Sequence, residues 1–276
     1  MRSRTEGKGR RFFALKRKYL SIPYGVFLLL FVIIPMILIL FYAFTDENGN
    51  PSAEALVNFF TTPSKWSVLV VSLFMGVQTT LICLLLGYPA AYFLADKRFN
   101  SNKVLVVLFI MPMWINFVIR TGATRDLLLW MGLEGGNHPW AATLIGMVYN
   151  YLPFTILPLY TTMLKLDRSQ VEAAYDLGCN KGQAFLRSVL PQSVPGIISA
   201  SEMVFMPVMS SYVISDTLSE GKITLFGNSI YLSFTNSEWN EGSFMALIML
   251  VIIGITMLLT RNAGGEQVTA RGGGLW

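Results

Sequence analysis

The run Leu20–Phe44, LSIPYGVFLLLFVIIPMILILFYAF, carries no charged side chain. A helix needs roughly 20 apolar residues, within about 17–25, to cross the hydrocarbon core of a bilayer, and this stretch meets that requirement alone. It is too long for the apolar core of a signal peptide and lacks a small-residue cleavage site, so it is expected to be retained. Five further runs follow, at about Val68–Leu94, Val104–Ile119, Ala141–Leu164, Val194–Ile214 and Phe244–Leu259. The third and sixth are short, so their helices are expected to extend into polar flanks or to lie where the bilayer thins. The whole chain agrees with this reading. Its 276 residues are 53% hydrophobic and 13% charged, about half the charged fraction of an average soluble domain, roughly 25%. The expected fold class is all-α, a polytopic membrane protein with six transmembrane helices. A soluble enzyme, a disulfide scaffold and a disordered regulator are excluded. Cys83 lies in an apolar run and Cys179 in a polar loop, so they are not expected to pair.

Eight of the 21 Lys/Arg fall in the first 18 residues, directly before the first run. Such a tail meets anionic head groups and stays cytoplasmic. With no basic-plus-aromatic module following it, nucleic acid is not an expected partner; the lipid bilayer is. The loops 96–103 and 165–191 and the C-terminus add 3, 4 and 2 cations, which puts both termini in the cytoplasm. The opposite loops hold Asp46, Glu47, Glu54, Asp126, Glu134, Asp216, Glu220, Glu238 and Glu241. These acids either concentrate cations at an entrance or simply keep external loops soluble. Pro23, Pro35, Pro89, Pro112, Pro153, Pro158, Pro195 and Pro207 lie in or beside the runs, where each removes a backbone donor. Gly25, Gly76, Gly87, Gly146, Gly196 and Gly254 are expected to permit close helix approach. The division follows: a basic tail over 1–19, a six-helix domain over 20–261 and a cytoplasmic tail over 262–276.

The stretch Lys165–Pro191, KLDRSQVEAAYDLGCNKGQAFLRSVLP, is not an ordinary loop. Ser169 with Glu172 forms a capping-box pattern, helix formers follow, and Gly178 supplies a stop. Asn180 is placed to cap a second helix over Lys181–Leu190, which Pro191 is expected to end. Val171, Ala174, Tyr175 and Gly178 recur on one side of the first helix. An interfacial helix lying on anionic lipid is the plainer reading, but Glu172 and Asp176 oppose it.

Glu172-Ala173-Ala174, three residues, Gly178, nine residues, then Ser188-Val189-Leu190-Pro191 resembles the EAA loop of type I ABC importer permeases, with Ser188 where that family usually has Ile. The departure touches a packing position and leaves the docking part intact. The resemblance implies a MetI-like permease fold in a bacterial cytoplasmic membrane, with Glu172, Ala173, Ala174 and Gly178 in a coupling helix that enters a groove on a separate ATPase. It implies a second similar permease, two ATP-binding cassette ATPase subunits and an extracytoplasmic binding protein. ATP and Mg2+ would be used by the ATPase, with no cofactor in this chain. The segments LGYPAAYFLA (86–95), MPMWINFVIR (111–120), YNYLPFTILPLY (149–160), LDRSQVEAAYDLG (166–178) and VMSSYVISDTL (208–218) are similar to the spermidine/putrescine branch of that family, which implies polyamine import and a polyamine-binding protein. The alternatives are a permease for another small solute, such as thiamine, iron or sulfate, and a membrane scaffold or sensor docking a cytoplasmic partner.

The polar residues inside the runs are the candidate path. Glu202 is mid-run, where a charge is costly, about 2.5–3.5 kcal/mol on insertion scales. It is either a contact for a passing ammonium group or a hydrogen-bonded packing residue. Ser210, Ser211, Tyr212 and Asp216 offer hydroxyls, an aromatic face and a carboxylate. Trp114 and Asn116 belong to the W-x-N-x-x-I-R stretch that the polyamine branch shares. Arg120, four residues from Asn116 and expected on the same helix face, is a poor neighbour for a cation. It is expected to pair with an acid or carbonyl at the outer edge or to touch the binding protein. Gln78, Thr79, Thr80 and Asn150 line the path or join helices. His138 stands alone in an outer loop. No Walker A loop, G-x-S-x-G or metal-ligand cluster is present, so the chain is not expected to be an enzyme and no metal site is expected.

Overall fold

The computed structural model describes residues 21–46, 49–96 and 104–264. The expected basic tail, the cations of loop 96–103, Glu47 and the C-terminal tail beyond 264 lie outside the described residues. Among these residues helices are the only regular elements, beside one isolated bridge, Thr45 to Pro51.

In chain order the helices are α1 (Ile22–Ala43), α2 (Glu54–Thr61), α3 (Pro63–Ala95), α4 (Val104–Trp114), α5 (Phe117–Trp130), α6 (Pro139–Met163), α7 (Arg168–Asp176), α8 (Lys181–Ser210), α9 (Val213–Ser219), α10 (Phe226–Thr235) and α11 (Trp239–Gly264). Five of them, α1, α3, α6, α8 and α11, are long and apolar enough to cross a membrane, and α4 with α5 makes a sixth crossing if that bent pair is one span. The third run extends into its polar flank, as expected, but through a break that was not expected. Its helix stops at Trp114, turns by 95° and restarts at Phe117. The restarted helix carries Arg120, Thr121, Thr124, Arg125 and Asp126, which removed it from the hydropathy count. The sixth run does extend into polar flanks, from Trp239 to Gly264, three residues past the expected domain limit.

Helices α3, α6 and α8 pack on one another and form the centre. At one end Met75, Cys83, Met147, Val204, Val208, Ile214 and Leu218 make a buried cluster. At the other, beside α4 and α7, the cluster is Ala91, Leu94, Val106, Ile156, Leu159, Met163 and Ala200. Small residues allow the approach. A Cβ on Gly196 of α8 would stand 2.7 Å from the Thr162 hydroxyl of α6, and one on Gly87 of α3 would stand 2.8 Å from Thr155. Gly76 and Gly146 are likewise crowded, whereas Gly25 and Gly254 face open space in the isolated chain. Cys83 is a buried free thiol and Cys179 a half-buried one. Helix α1 packs chiefly on α11 and is mostly exposed in the isolated chain.

Two prolines are absorbed by the same device. Pro35 and Pro191 each follow a π turn by one residue, Leu29–Ile33 in α1 and Phe185–Val189 in α8. A proline removes the i→i−4 donor and its ring presses on the carbonyl four residues back. Widening the turn relieves this: the Ile34 N–H reaches the Leu29 carbonyl and the Leu190 N–H reaches the Phe185 carbonyl. Pro191 therefore does not end the second loop helix as expected. That helix runs on into the fifth span as the single element α8.

Candidate functional site

The 165–191 segment forms a compact elbow. Asp167, not Ser169, is the N-cap of α7, and its Oδ1 accepts from the Ser169 amide at 3.0 Å and the Ser169 hydroxyl at 2.7 Å. The expected Ser169–Glu172 box does not form: the cap lies two residues earlier, at an aspartate whose short, charged side chain takes the Ser169 amide and hydroxyl, while its own N–H goes to Gln192. Those bonds, the hydroxyl first and the amide second, hold the Asp167 carboxyl below the usual carboxylate range. At the other end Cys179 N–H donates to Ala174 O at 3.0 Å and Gly178 N–H to Tyr175 O at 2.8 Å. This pair of bonds makes a Schellman stop, with Gly178 at φ +82°. Asn180 caps α8 as expected. Its Oδ1 accepts from Gln183 N at 2.8 Å, and Gln183 Oε1 accepts from Asn180 N at 3.0 Å. Glu172, Ala173 and Gly178 are exposed and Ala174 is half-buried; no residue of α7 is buried. Beside them Leu177 is 85% exposed and Leu186 60%.

Ser188, the departure from the family pattern, is buried. It accepts from Gln192 Nε2 at 3.2 Å, while Gln192 Oε1 accepts from Asp167 N–H at 3.0 Å. The polar replacement joins a tether from α8 to the start of α7, a pairing whose sequence signal was the serine–glutamine spacing of four.

The break between α4 and α5 is the second constellation. Asn116 is the N-cap of α5, its Oδ1 accepting from Val118 N at 2.9 Å. Arg120 is 7% exposed and lies over the Tyr149 ring at 5.6 Å. Its Nε donates to Asn150 Oδ1 at 2.8 Å and its Nη1 to the Pro112 carbonyl at 2.7 Å. Asn150 Nδ2 donates to Gly146 O at 2.9 Å. Of the partners expected for Arg120, a carbonyl is the one found, and it lies inside the bundle. Trp114, Asn116, Arg120, Asn150, Tyr151 and Phe154 line a cleft of about 460 Å3 at this break. Tyr151 ties the cleft to α8, its hydroxyl donating to the Pro207 carbonyl at 3.4 Å.

The other candidates are elsewhere. Glu202 is hydrogen-bonded by the Thr260 hydroxyl, which ties α8 to α11. Tyr212 stacks on Tyr231 at 4.6 Å and 13°, and Asp216 is exposed on α9. Gln78 joins helices, accepting from Trp140 Nε1 at 3.0 Å. Thr80 bonds back to Gly76 O at 2.7 Å. At the end opposite α7, Asp46, Glu54, Glu238 and Glu241 line a polar cavity of about 430 Å3, with Lys65 Nζ 2.6 Å from Glu241 Oε2. Among the described residues no three His, Cys, Asp or Glu side chains are grouped to hold a metal.

A helical bundle with one broken span and an exposed capped elbow at its end is the architecture of a membrane transport subunit. Residues 11–263 match the family described as binding-protein-dependent transport system inner membrane component, and the chain belongs to it. It is 34% identical over 252 residues to the spermidine/putrescine transport system permease protein PotB of Escherichia coli (strain K12), across 84% of this chain and 92% of that one. The Haemophilus influenzae protein of the same name is 34% identical over 257 residues, across 86% and 90%. Among solved structures, a bacterial ABC transporter involved in import of the acidic polysaccharide alginate superposes with a TM-score of 0.66 at 16% identity, covering 90% of this chain and 96% of that one. An amino acid ABC transporter superposes at 0.53 and 16% identity, covering 76% and 96%. The fold is that of a type I ABC importer permease, as expected, and the chain is a transport component of the inner membrane rather than an enzyme.

Proposed function

We propose that this chain is a permease subunit that carries spermidine or putrescine into the bacterial cytoplasm, driven by a separate ATPase. The observation that carries the reading is the 34% identity over 84% of the chain to the Escherichia coli spermidine/putrescine permease. The exposed, doubly capped α7 supports the part of the reading that concerns energy. Nothing in the bundle requires Glu172 or Leu177 where they stand, and a groove on an ATPase would cover them. The partners are a second similar permease, two ATP-binding cassette ATPase subunits that use ATP and Mg2+, and an external polyamine-binding protein. The reading puts α7 and both termini in the cytoplasm, supported by the excess of Lys and Arg in the loops on that side, and puts the acidic cavity at the outer face, where a negative field would gather polycations.

In this scheme closure of the ATPase dimer shifts α7, and the bundle opens outward to receive solute. A solute moves such an equilibrium by binding its two states unequally. The roles of Trp114, Asn116, Ser211, Tyr212, Asp216 and Glu202 along the path belong to this proposal. Trp114 and Asn116 share the cleft at the broken span, whereas Ser211 is not among its lining residues and Glu202 is spent on Thr260.

One feature favours a second reading, import of another small solute: the Arg120 cation lines that cleft. The test is uptake by the complex reconstituted with its binding protein. Spermidine or putrescine should accumulate with ATPase stimulation, and excess thiamine, sulfate or ferric iron should not compete. Uptake of one of those three with no polyamine uptake would replace the first reading by the second.

A further inference from the structure

Phe185 is the first residue of the π turn in α8, four residues past the start of that helix. Its ring stands edge-on to two tyrosines of α3, Tyr88 at 5.9 Å and 88° and Tyr92 at 5.8 Å and 86°. Tyr88 and Tyr92 are one helical turn apart, so they grip a single ring from consecutive turns. Perpendicular contacts of this kind set a positive ring edge against a negative face, which fixes orientation as well as distance. Beyond the π turn, α3 holds α8 a second time. Tyr88 and Ser193 hydroxyls are 2.8 Å apart, and Ser193 Oγ donates to Leu190 O at 2.8 Å, so the Tyr88 O–H is the donor in the first bond. The wide turn is therefore bracketed by two attachments to the same helix.

The bracket lies where displacement has to pass. Helix α7 runs into α8 through residues 177–180 and is tethered at its start to Gln192 of α8, and the capping box makes residues 180–184 one stiff turn. The next element is the π turn, whose widened hydrogen bonds and missing Pro191 donor make it the weakest point of the helix. The Asp167–Gln192 bond gives α7 one hold beyond that turn, and the ring contacts of Phe185 give the turn's first residue a direct hold on α3.

We propose that Phe185, clamped between Tyr88 and Tyr92, is a positioning residue that passes motion of α7 to α3, with α8 carried along through Tyr88 and Ser193. The proposal rests on the reading of α7 as the ATPase-docking element. It gives the two tyrosines of the LGYPAAY segment one joint function.

The test uses the complete complex in liposomes, with permeases, ATPase and binding protein present. Three quantities are read: recovery of the ATPase on the permease, ATP hydrolysis with loaded binding protein, and spermidine taken up per ATP hydrolysed. Phe185→Ala should keep ATPase recovery within twofold of wild type and lower uptake per ATP by tenfold or more. Phe185→Tyr should return it to within threefold, and Tyr92→Ala should match Phe185→Ala without adding to it in the double variant. Leu186→Ala, next in sequence and exposed, should leave the ratio unchanged. An unchanged ratio in Phe185→Ala would overturn the proposal. If that variant assembles poorly, Phe185→Leu, which keeps the bulk and loses the ring edge, decides by the same ratio. The docking reading fails separately: a Gly178→Asp complex with wild-type ATPase recovery and uptake would refute it whatever Phe185 does.

Discussion

Replacing Arg120 by methionine tests whether a buried cation holds the broken span in its bent form. The guanidinium makes two good hydrogen bonds, at 2.8 Å to Asn150 Oδ1 and 2.7 Å to Pro112 O; a third contact, to Asn150 O at 3.5 Å, is too long to count. Hydrogen bonds from a charged donor are worth about 1.5–3 kcal/mol each, and the contact over Tyr149 adds about 0.5–2 kcal/mol. Methionine also removes a buried charge, and that relief offsets part of the loss. The net cost should be about 2–4 kcal/mol. At about 2–4 °C per kcal/mol for a chain of this size, the unfolding midpoint of the purified complex should fall by on the order of 10 °C. Uptake should fall with it, because α5 loses its tie to α6 and to the end of α4. A double-mutant cycle isolates the pair. In an Asn150→Leu background the same change should cost less by about 1.5–3 kcal/mol, and Arg120→Lys should recover one of the two bonds. A wild-type midpoint with wild-type uptake in Arg120→Met would refute the argument, as would additivity with Asn150→Leu to within about 0.5 kcal/mol.

Gly178→Ala places a side chain at φ +82° with nothing within 4 Å of the new Cβ, so its cost is backbone strain alone, about 1–2 kcal/mol. ATPase recovery should fall modestly for alanine and completely for Gly178→Asp, read by pull-down, while pairing with the second permease persists. Asp167→Ala removes the cap of α7, read as faster amide exchange over 168–176. The same exchange should depend on pH. The Asp167 carboxyl titrates below its ordinary value, so the cap is at full strength above the ordinary carboxylate pKa and is lost as pH falls through the lower folded value. A membrane-impermeant maleimide applied to intact cells should modify Asn236→Cys and spare the half-buried native Cys179. Labelling at Cys179 would reverse the proposed orientation.

The apolar runs were legible because lipid demands them, and the count of six survives if the α4–α5 pair is one crossing. Hydropathy failed at Ile119, where the third run was ended because Arg120 follows. Hydropathy scores a residue as if solvated, whereas Arg120 finds carbonyl and amide acceptors within the bundle. The break itself left a signal: Pro112 four residues before Asn116, and an asparagine opening a helical stretch, which is an N-cap pattern. The two helices of the elbow, the stop at Gly178 and the cap at Asn180 were legible, since they act through local bonds that spacing reveals, whereas the Asp167 cap and the Gln183 half of the capping box were not read. The continuation through Pro191 was not legible. It depends on a π turn, and nothing in the local sequence distinguishes a proline that ends a helix from one absorbed this way. Short helices such as α2 and α10 also escaped, because their burial is set by distant partners: Phe59 and Phe226 meet across the chain.

The polar side chains of the spans are mostly spent on their own helices. Thr80, Thr121, Thr124, Thr143 and Ser201 each donate to the carbonyl four residues back. Glu202 is taken by Thr260, and Asn150 uses its oxygen on Arg120 and its nitrogen on Gly146. What remains around the cleft at the broken span is a set of aromatic faces, Trp114, Tyr151 and Phe154, with no carboxylate among the lining residues. For a polyamine this matters. A buried carboxylate would hold an ammonium group by a charge pair strengthened by low dielectric, whereas a ring face offers about 0.5–2 kcal/mol. Conduction needs sites favourable enough to enter and weak enough to leave. In the proposed reading the aromatic faces of this cleft meet both conditions for a flexible polycation once the Arg120 cation is spent on Asn150 and Pro112, and the carboxylates proposed to gather it, Asp46, Glu54, Glu238 and Glu241, line the separate cavity at the far end of the bundle.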